Sequence, residues 1–232
     1  MKKRIVVIGG GESGVGAAIL AKKKGFDVFL SDGGSLKEKY KTFLQKHNIN
    51  FEEGEHNSSI ILSADEIIKS PGVSYEAEII QSALAEQIPV ISEIEFAGRY
   101  TNAVIIGITG TNGKTTTTHL THHLLKRGGL NVKMAGNVGN SFAYEVATSE
   151  TDIDYYVLEL SSFQLDGIVS FHPHIVVMTN ITPDHLDRYK GSFQSYIDAK
   201  FKIAERQEES DYFIYCYDDK VTREEVEKRK IK

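Results

Sequence analysis

Two glycine-rich loops constrain this chain more than any other feature, each set between a short apolar run and a helical pattern. The first, Gly9-Gly10-Gly11-Glu12-Ser13-Gly14, follows Ile5–Ile8; the second, Gly110-Thr111-Asn112-Gly113-Lys114-Thr115-Thr116, follows Ala103–Ile108. A loop of this kind belongs to a parallel α/β layer, where a strand feeds a helix whose first N–H groups are free to meet an anion. One α/β unit rarely needs two such loops after two different first strands. The expected organisation is therefore two units divided within 92–102, drawn here as 1–93 and 94–232: a Rossmann-like parallel-sheet domain followed by a P-loop ATPase-type α/β domain.

The intervening pattern fits that fold class. Val15–Lys24 reads as a helix with three lysines in its last turn and Gly25 as its stop, and Asp27–Ser31 as the next strand. Ser35-Leu-Lys-Glu38 has capping-box spacing, opening a helix with Leu36, Tyr40, Phe43 and Leu44 on one face. Strand Glu66–Ser70, helix Tyr75–Glu86 and strand Pro89–Ile91 follow, and Ser92-Glu-Ile-Glu95 is a second capping-box pattern, its helix ending near Gly98. Further strands are expected at Val132–Ala135, Tyr155–Leu160, Ile175–Thr179 and Tyr212–Tyr217, with one short helix in the charged tail Thr222–Lys232. The tail is an abrupt end for a catalytic domain, so the second unit is expected to be incomplete.

Composition narrows the functional classes. With 232 residues, 41% hydrophobic and 25% charged, the chain is an ordinary globular sequence. A net charge of -5 gives no basic excess for a nucleic-acid partner. Cys216 is the sole cysteine, which excludes an intrachain disulfide. The basic start at Met1–Arg4 runs into an apolar stretch too short for a signal peptide, and no run approaches the ~20 apolar residues of a membrane span. The expected location is the cytoplasm, with no membrane partner.

The first loop fits G-x-G-x-x-G, and Asp32 stands about 20 residues beyond it, where an acid meets a ribose hydroxyl. A bare strand-to-helix turn would use the same glycines, so the motif says nucleotide diphosphate without saying which; alone it suggests NAD. In the second loop, backbone N–H groups cradle phosphates, Lys114 reaches their outer oxygens and the Thr115 hydroxyl ligates magnesium. The full P-loop pattern is not met, because Ile108 occupies the position of its first glycine. The helix after it carries Leu120, Leu124 and Leu125, expected on one face.

Tyr155–Glu159 is an apolar strand ending in a carboxylate, suited to holding the metal beside a phosphate loop, although a surface acid would read the same way. Within Thr179-Asn-Ile-Thr-Pro-Asp-His185, His185 can ligate a second metal and Asp184 can cap a helix. His119, His122 and His123 have no carboxylate or cysteine company and read as structural or solvated. Lys200 falls on the apolar stripe of Phe193, Tyr196, Ile197 and Ala204. A lysine there snorkels to water or becomes a neutral amine able to take up CO2 as a carbamate.

Taken together, Thr109–Thr116, Glu159-Leu-Ser-Ser-Phe-Gln-Leu165 and Asn180-Ile-Thr-Pro-Asp-His-Leu-Asp-Arg188 resemble the Mur ligases, relatives of folylpolyglutamate synthase. The Gly9–Gly14 loop, Asp32 and Ser70-Pro-Gly72 match that family's uridine-nucleotide domain, so the resemblance spans essentially the whole chain. It implies a branch that adds D-glutamate to UDP-N-acetylmuramoyl-L-alanine in peptidoglycan precursor synthesis, and hence a part in cell wall biogenesis, cell shape and division.

The resemblance also implies site roles. Gly110, Thr111, Asn112, Gly113, Lys114, Thr115 and Thr116 hold ATP, with Lys114 on the transferring phosphoryl group. Thr115 and Glu159 bind Mg2+, while His185 and a carbamylated Lys200 serve a second metal region. Ser13, Asp32, Ser70 and Gly72 take the uridine diphosphate end, Asn137 and Gln164 the muramoyl-alanine part. ATP would phosphorylate the substrate carboxylate and the D-glutamate amine would displace phosphate. The family has a third, carboxy-terminal domain with no counterpart here, so the expectation is a monomer that binds the uridine substrate without turning over alone. The alternatives are an NAD-dependent dehydrogenase, which leaves the second loop unexplained, and a non-catalytic nucleotide-binding module; folylpolyglutamate synthase fits the Ser-Ser-Phe-Gln stretch poorly.

Overall fold

The apolar runs become parallel strands throughout. The computed structural model describes residues 2–231, which divide into two compact units, 2–101 with 141–148 and 102–140 with 149–231. Residues Met1 and Lys232, at the basic start and the end of the charged tail, lie outside the described residues.

In the first unit, β1 (Arg4–Ile8), α1 (Glu12–Lys23), β2 (Asp27–Asp32), α2 (Glu38–Lys46), β3 (Asn50–Glu53), α3 (Ser58–Ile61), β4 (Glu66–Lys69), α4 (Glu78–Ala85), β5 (Val90–Ser92) and α5 (Glu93–Gly98) alternate strictly. The sheet order is β3-β2-β1-β4-β5, all parallel. Strands buried on both faces must be apolar nearly throughout, and β1 supplies Val6 and Ile8 to a core with Ile61, Ile67 and Ile80. The order reverses direction at β1, which puts the Gly9–Gly14 loop at a switch point of the sheet, the place where such sheets bind ligands.

The second unit is built from β6 (Val104–Thr109), α6 (Lys114–Arg127) and β7 (Val132–Gly136), and after α7 (Phe142–Thr148), which packs with the first unit, from β8 (Tyr155–Glu159), α8 (Ser162–Leu165), β9 (Ile175–Met178), α9 (Phe193–Phe201), β10 (Tyr212–Tyr215) and α10 (Lys220–Arg229). Its order is β10-β9-β6-β8-β7, again all parallel. Ile106, Ile108, Val132 and Val157 make its core. The fold is thus two five-stranded α/β layers, as the strand–loop–helix pattern required.

Several local readings change. Ser35 does not cap α2: the helix begins at Glu38, with Lys37 at the N-cap and no side-chain cap bond. The Leu36 N–H donates instead to Glu53 Oε2 on the neighbouring strand at 2.7 Å. Ser92 does cap α5, accepting from the Glu95 N–H at 3.2 Å. The leucine face of α6 points the other way from the expected burial, with Leu120 and Leu124 56% and 60% exposed. Thr118 is the buried residue of that helix and Leu125 the leucine packed on the sheet core. Among the described residues no helix is long and apolar enough to cross a membrane.

Candidate functional site

The first loop is held in shape by two polar side chains. Asp32, the last residue of β2, accepts from the Gly10 N–H through Oδ2 at 2.5 Å and from the Gly34 N–H through Oδ1 at 2.7 Å. Ser70, just past β4, donates its hydroxyl to the Gly9 carbonyl at 2.8 Å. Lys69 is buried, and its ammonium donates to the Val73 carbonyl at 2.7 Å while lying over the Tyr75 ring. A Cβ at Gly14 would lie 1.8 Å from the Gly9 carbonyl oxygen. Only glycine lets α1 start this close to the strand end, which leaves its first N–H groups pointing outward as an anion seat. Ser13 is half-buried in the first turn of α1, and Gly72 sits exposed in the turn closed by the Val73 N–H on the Ser70 carbonyl. The structure therefore gathers Ser13, Asp32, Ser70 and Gly72 around one loop at the carboxyl edge of one sheet.

The second loop is braced from β9. The Thr111 N–H donates to the Asn180 carbonyl at 2.8 Å, the Asn112 N–H to Asn180 Oδ1 at 3.0 Å, and the Thr179 hydroxyl to the Asn112 carbonyl at 2.8 Å. The Thr111 hydroxyl donates to the Thr182 carbonyl and meets the Tyr196 hydroxyl at 3.1 Å. Residues 179–182 thus form the back wall of the second glycine loop, a job invisible in their spacing. Lys114 Nζ donates to the Thr111 carbonyl at 2.8 Å, which curls the side chain over the loop it belongs to.

Parallel register brings the acid alongside. Glu159 ends β8 opposite Ile108 on β6 and Gly136 on β7. It is 2% exposed; Oε1 accepts from Asn137 Nδ2 at 2.8 Å, and buried Oε2 has no hydrogen-bond partner. A buried carboxylate oxygen without a donor is costly unless something positive meets it. With Thr115 on the second glycine loop, the donors are hard oxygens few in number, the set that magnesium would complete with phosphates and water. Among the described residues no three His, Cys, Asp or Glu side chains converge as a ready-made metal cage. These residues fit the ion.

Lys200 is buried at 2% exposure on α9 and does not snorkel: Nζ donates to the Gly110 carbonyl at 2.7 Å and lies 4.6 Å from the centre of the Tyr196 ring. Burial, reinforced by the Lys114 charge and opposed by Asp184, pushes its amine down to about 7. His185 is more than half exposed, in a left-handed backbone conformation, with its ring 5.3 Å from that of Phe163. Asp184 accepts from the His185 N–H and does not cap a helix. Gln164 is buried, and its Oε1 accepts from the Ser161 N–H and hydroxyl at 3.0 Å, one half of a capping box on α8. The Ser161-x-x-Gln164 spacing carried that signal. Glu93, which the sequence reading did not single out, is buried with its Oε1 on the Ala143 N–H and its Oε2 unpartnered.

Known proteins bear on both units. Residues 108–232 match the family model described as Mur ligase middle domain, and residues 4–79 match that described as MurD N-terminal domain. A protein of Bacteroides fragilis named UDP-N-acetylmuramoylalanine–D-glutamate ligase is 56% identical over 230 residues, 99% of this chain and 51% of the relative. One of the same name from Chlorobium chlorochromatii is 43% identical over 221 residues, 94% of this chain and 47% of the relative. The chain spans about half the length of the curated relatives it matches. Among solved structures, the UDP-N-acetylmuramate:L-alanyl-gamma-D-glutamyl-meso-diaminopimelate ligase of Neisseria meningitides superposes with a TM-score of 0.69 at 18% identity, over 98% of this chain and 75% of that one, a likeness of fold. With a family model covering more than half of its residues, the chain belongs to the Mur ligase family.

Proposed function

We propose that this chain is the uridine-nucleotide and ATP-binding part of a ligase that joins D-glutamate to UDP-N-acetylmuramoyl-L-alanine. The observation that carries the reading is the buried, unpartnered Glu159 oxygen beside the Gly110–Thr116 loop, in a chain with a second diphosphate loop and relatives bearing that name. In this reading the N–H groups from Gly110 to Thr116 hold the ATP phosphates, and Lys114 leaves the Thr111 carbonyl to meet the outermost one. Thr115 and Glu159 would hold magnesium, which when bound neutralises charge on the phosphates.

Phosphorylation of the substrate carboxylate makes an acyl phosphate, whose carbonyl carbon the D-glutamate amine attacks with loss of phosphate. The chain's contribution is to position the reacting groups it binds. Asn137, already bonded to Glu159, lies along the muramoyl-alanine part in this account; Gln164 acts there through the shape it gives Ser161. Ser13, Asp32, Ser70 and Gly72 form the seat for the uridine diphosphate, Asp32 and Ser70 chiefly by fixing the loop. A reaction that consumes ATP implies the cytoplasm as its compartment.

Calorimetric titration tests the substrate. UDP-N-acetylmuramoyl-L-alanine is expected to bind saturably and NADH to give no heat of binding; the reverse would make the first loop a dinucleotide site and sink the reading.

A carbamate on Lys200 belongs to the same proposal, in which Lys200 and His185 serve a second metal region. The buried amine would add its lone pair to the carbon of CO2 and release a proton to solvent, leaving an anion in place of a cation. Incubation with 13C-labelled bicarbonate is expected to give a carbamate carbonyl resonance that Lys200→Arg abolishes. A spectrum identical in the two proteins would remove the carbamate from the scheme.

A further inference from the structure

Next to Asp32 the first unit carries a polar relay that the roles above leave unused. Ser31 is fully buried on β2, and its Oγ lies 2.6 Å from Glu52 Oε1 and 2.6 Å from His56 Nδ1. Glu52 belongs to β3, paired with β2 in register Ser31↔Glu52, and His56 follows that strand. The proton count settles the tautomer. An ionised carboxylate only accepts, and Glu52 Oε1 already takes the Asn57 N–H at 2.8 Å. The single Ser31 hydroxyl proton therefore goes to Glu52, and the remaining bond requires Nδ1–H of His56 to donate to Ser31 Oγ. In the neutral imidazole, Nε2 is then an unprotonated acceptor.

That nitrogen has no hydrogen-bond partner among the described residues, and the ring is half-buried. It lies 3.1 Å from where a Cβ on Gly33 would stand. Gly33 and Gly34 are exposed and carry no side chains, so the turn after Asp32 is a bare ledge with one acceptor at its edge. A nucleotide whose diphosphate sits on the loop after β1 passes its ribose over the end of β2. Its base then reaches the ledge towards β3, where His56 stands.

We propose that His56 recognises the base, its Nε2 accepting the N3–H of uracil, with Ser31 and Glu52 as positioning residues that hold the acceptor tautomer. The inference rests on the uridine-nucleotide reading above. Uracil carries a proton on N3, whereas cytosine presents a lone pair there and would face Nε2 acceptor to acceptor. A site that leaves a polar group unpaired rejects the wrong partner more strongly than one that merely fits poorly.

The test is a cycle of calorimetric titrations of the whole chain with UDP, CDP and N3-methyl-UDP, on the wild type, His56→Ala and His56→Gln. The wild type is expected to prefer UDP over both analogues by on the order of tenfold, the scale of one hydrogen bond. His56→Ala should erase that preference, so that base methylation and the substitution are not additive, and His56→Gln, which keeps an acceptor, should restore part of it. Equal wild-type affinity for UDP and N3-methyl-UDP overturns the proposal even if His56→Ala fails to fold. An undiminished preference in a folded His56→Ala overturns it as well. If the wild type binds neither UDP nor UDP-N-acetylmuramoyl-L-alanine, the uridine reading itself fails and takes the His56 assignment with it.

Discussion

Gly110→Ala is expected to lower MgATP affinity by at least 100-fold, while Gly113→Ala, three residues on, costs about tenfold or less. Both glycines have positive φ, +138° and +84°, so either alanine bears backbone strain of ~1–3 kcal/mol. The difference lies in the surroundings. A Cβ on Gly110 would fall 2.0 Å from Thr179 Oγ1 and 3.0 Å from the Asn180 carbonyl oxygen, whereas nothing lies within 4 Å of one on Gly113.

Neither neighbour of Gly110 can yield cheaply. The Thr179 hydroxyl donates to the Asn112 carbonyl, and the Asn180 carbonyl accepts from the Thr111 N–H, so displacing them unmakes the bracing of the phosphate loop. Lys200 also donates to the Gly110 carbonyl, which would be re-aimed. Calorimetry with MgATP decides the matter, and circular dichroism separates a deformed loop from an unfolded chain. A folded Gly110→Ala that binds MgATP like the wild type would show that the loop does not hold the phosphates in this conformation.

The second large effect concerns Glu93, which has no part in the chemistry. Burial pushes its carboxyl up to about 7 from an ordinary value of 4.5, against the opposing bond from the Ala143 N–H and with a further push from Glu12. The sign follows from linkage. The folded state binds the proton more tightly than the unfolded chain, so the stabilisation is fully present below about 4.5 and is lost as pH rises through about 7. The span corresponds to about 3 kcal/mol.

Urea unfolding at pH values from 5 to 8 should show the wild type weakening across that range. Glu93→Gln keeps an acceptor for the Ala143 N–H and carries no charge, so it should flatten the profile and be the more stable protein at pH 8 by about 2–3 kcal/mol. Parallel profiles for the two proteins would mean that the buried carboxyl does not control this dependence. The consequence is local: Glu93 fastens the amino end of α7 onto the first unit, and its proton inventory sets how firmly.

The residues differ in how openly they declare such roles. Capping of α5 by Ser92 could be read directly, because donor and acceptor are three residues apart and the bond forms within the segment. The same reading failed at Ser35, where Glu53, seventeen positions beyond Leu36, takes the Leu36 N–H. β3 carries the sequence Asn-Phe-Glu-Glu, too short and too polar for a periodic signal, yet it delivers Glu52 and Glu53 to their partners. Asp32 stands at the spacing expected for a ribose contact, and its two oxygens nonetheless hold Gly10 and Gly34.

What the sequence alone determined is whatever depends on neighbours along the chain. Apolar runs followed by glycine loops and amphipathic stretches specified two parallel α/β layers, since a strand ending in such a loop has little choice but to launch a helix. The motifs of the Mur ligases were equally plain. The tertiary structure alone decided which polar groups are buried and with whom. Glu159, Lys200, Glu93 and the Ser31–His56 pair lie within similar stretches of chain to dozens of solvated acids, lysines and histidines. Their surroundings come from strands far apart in sequence, and the cost of burying an unmatched charge or proton is set only when those strands meet.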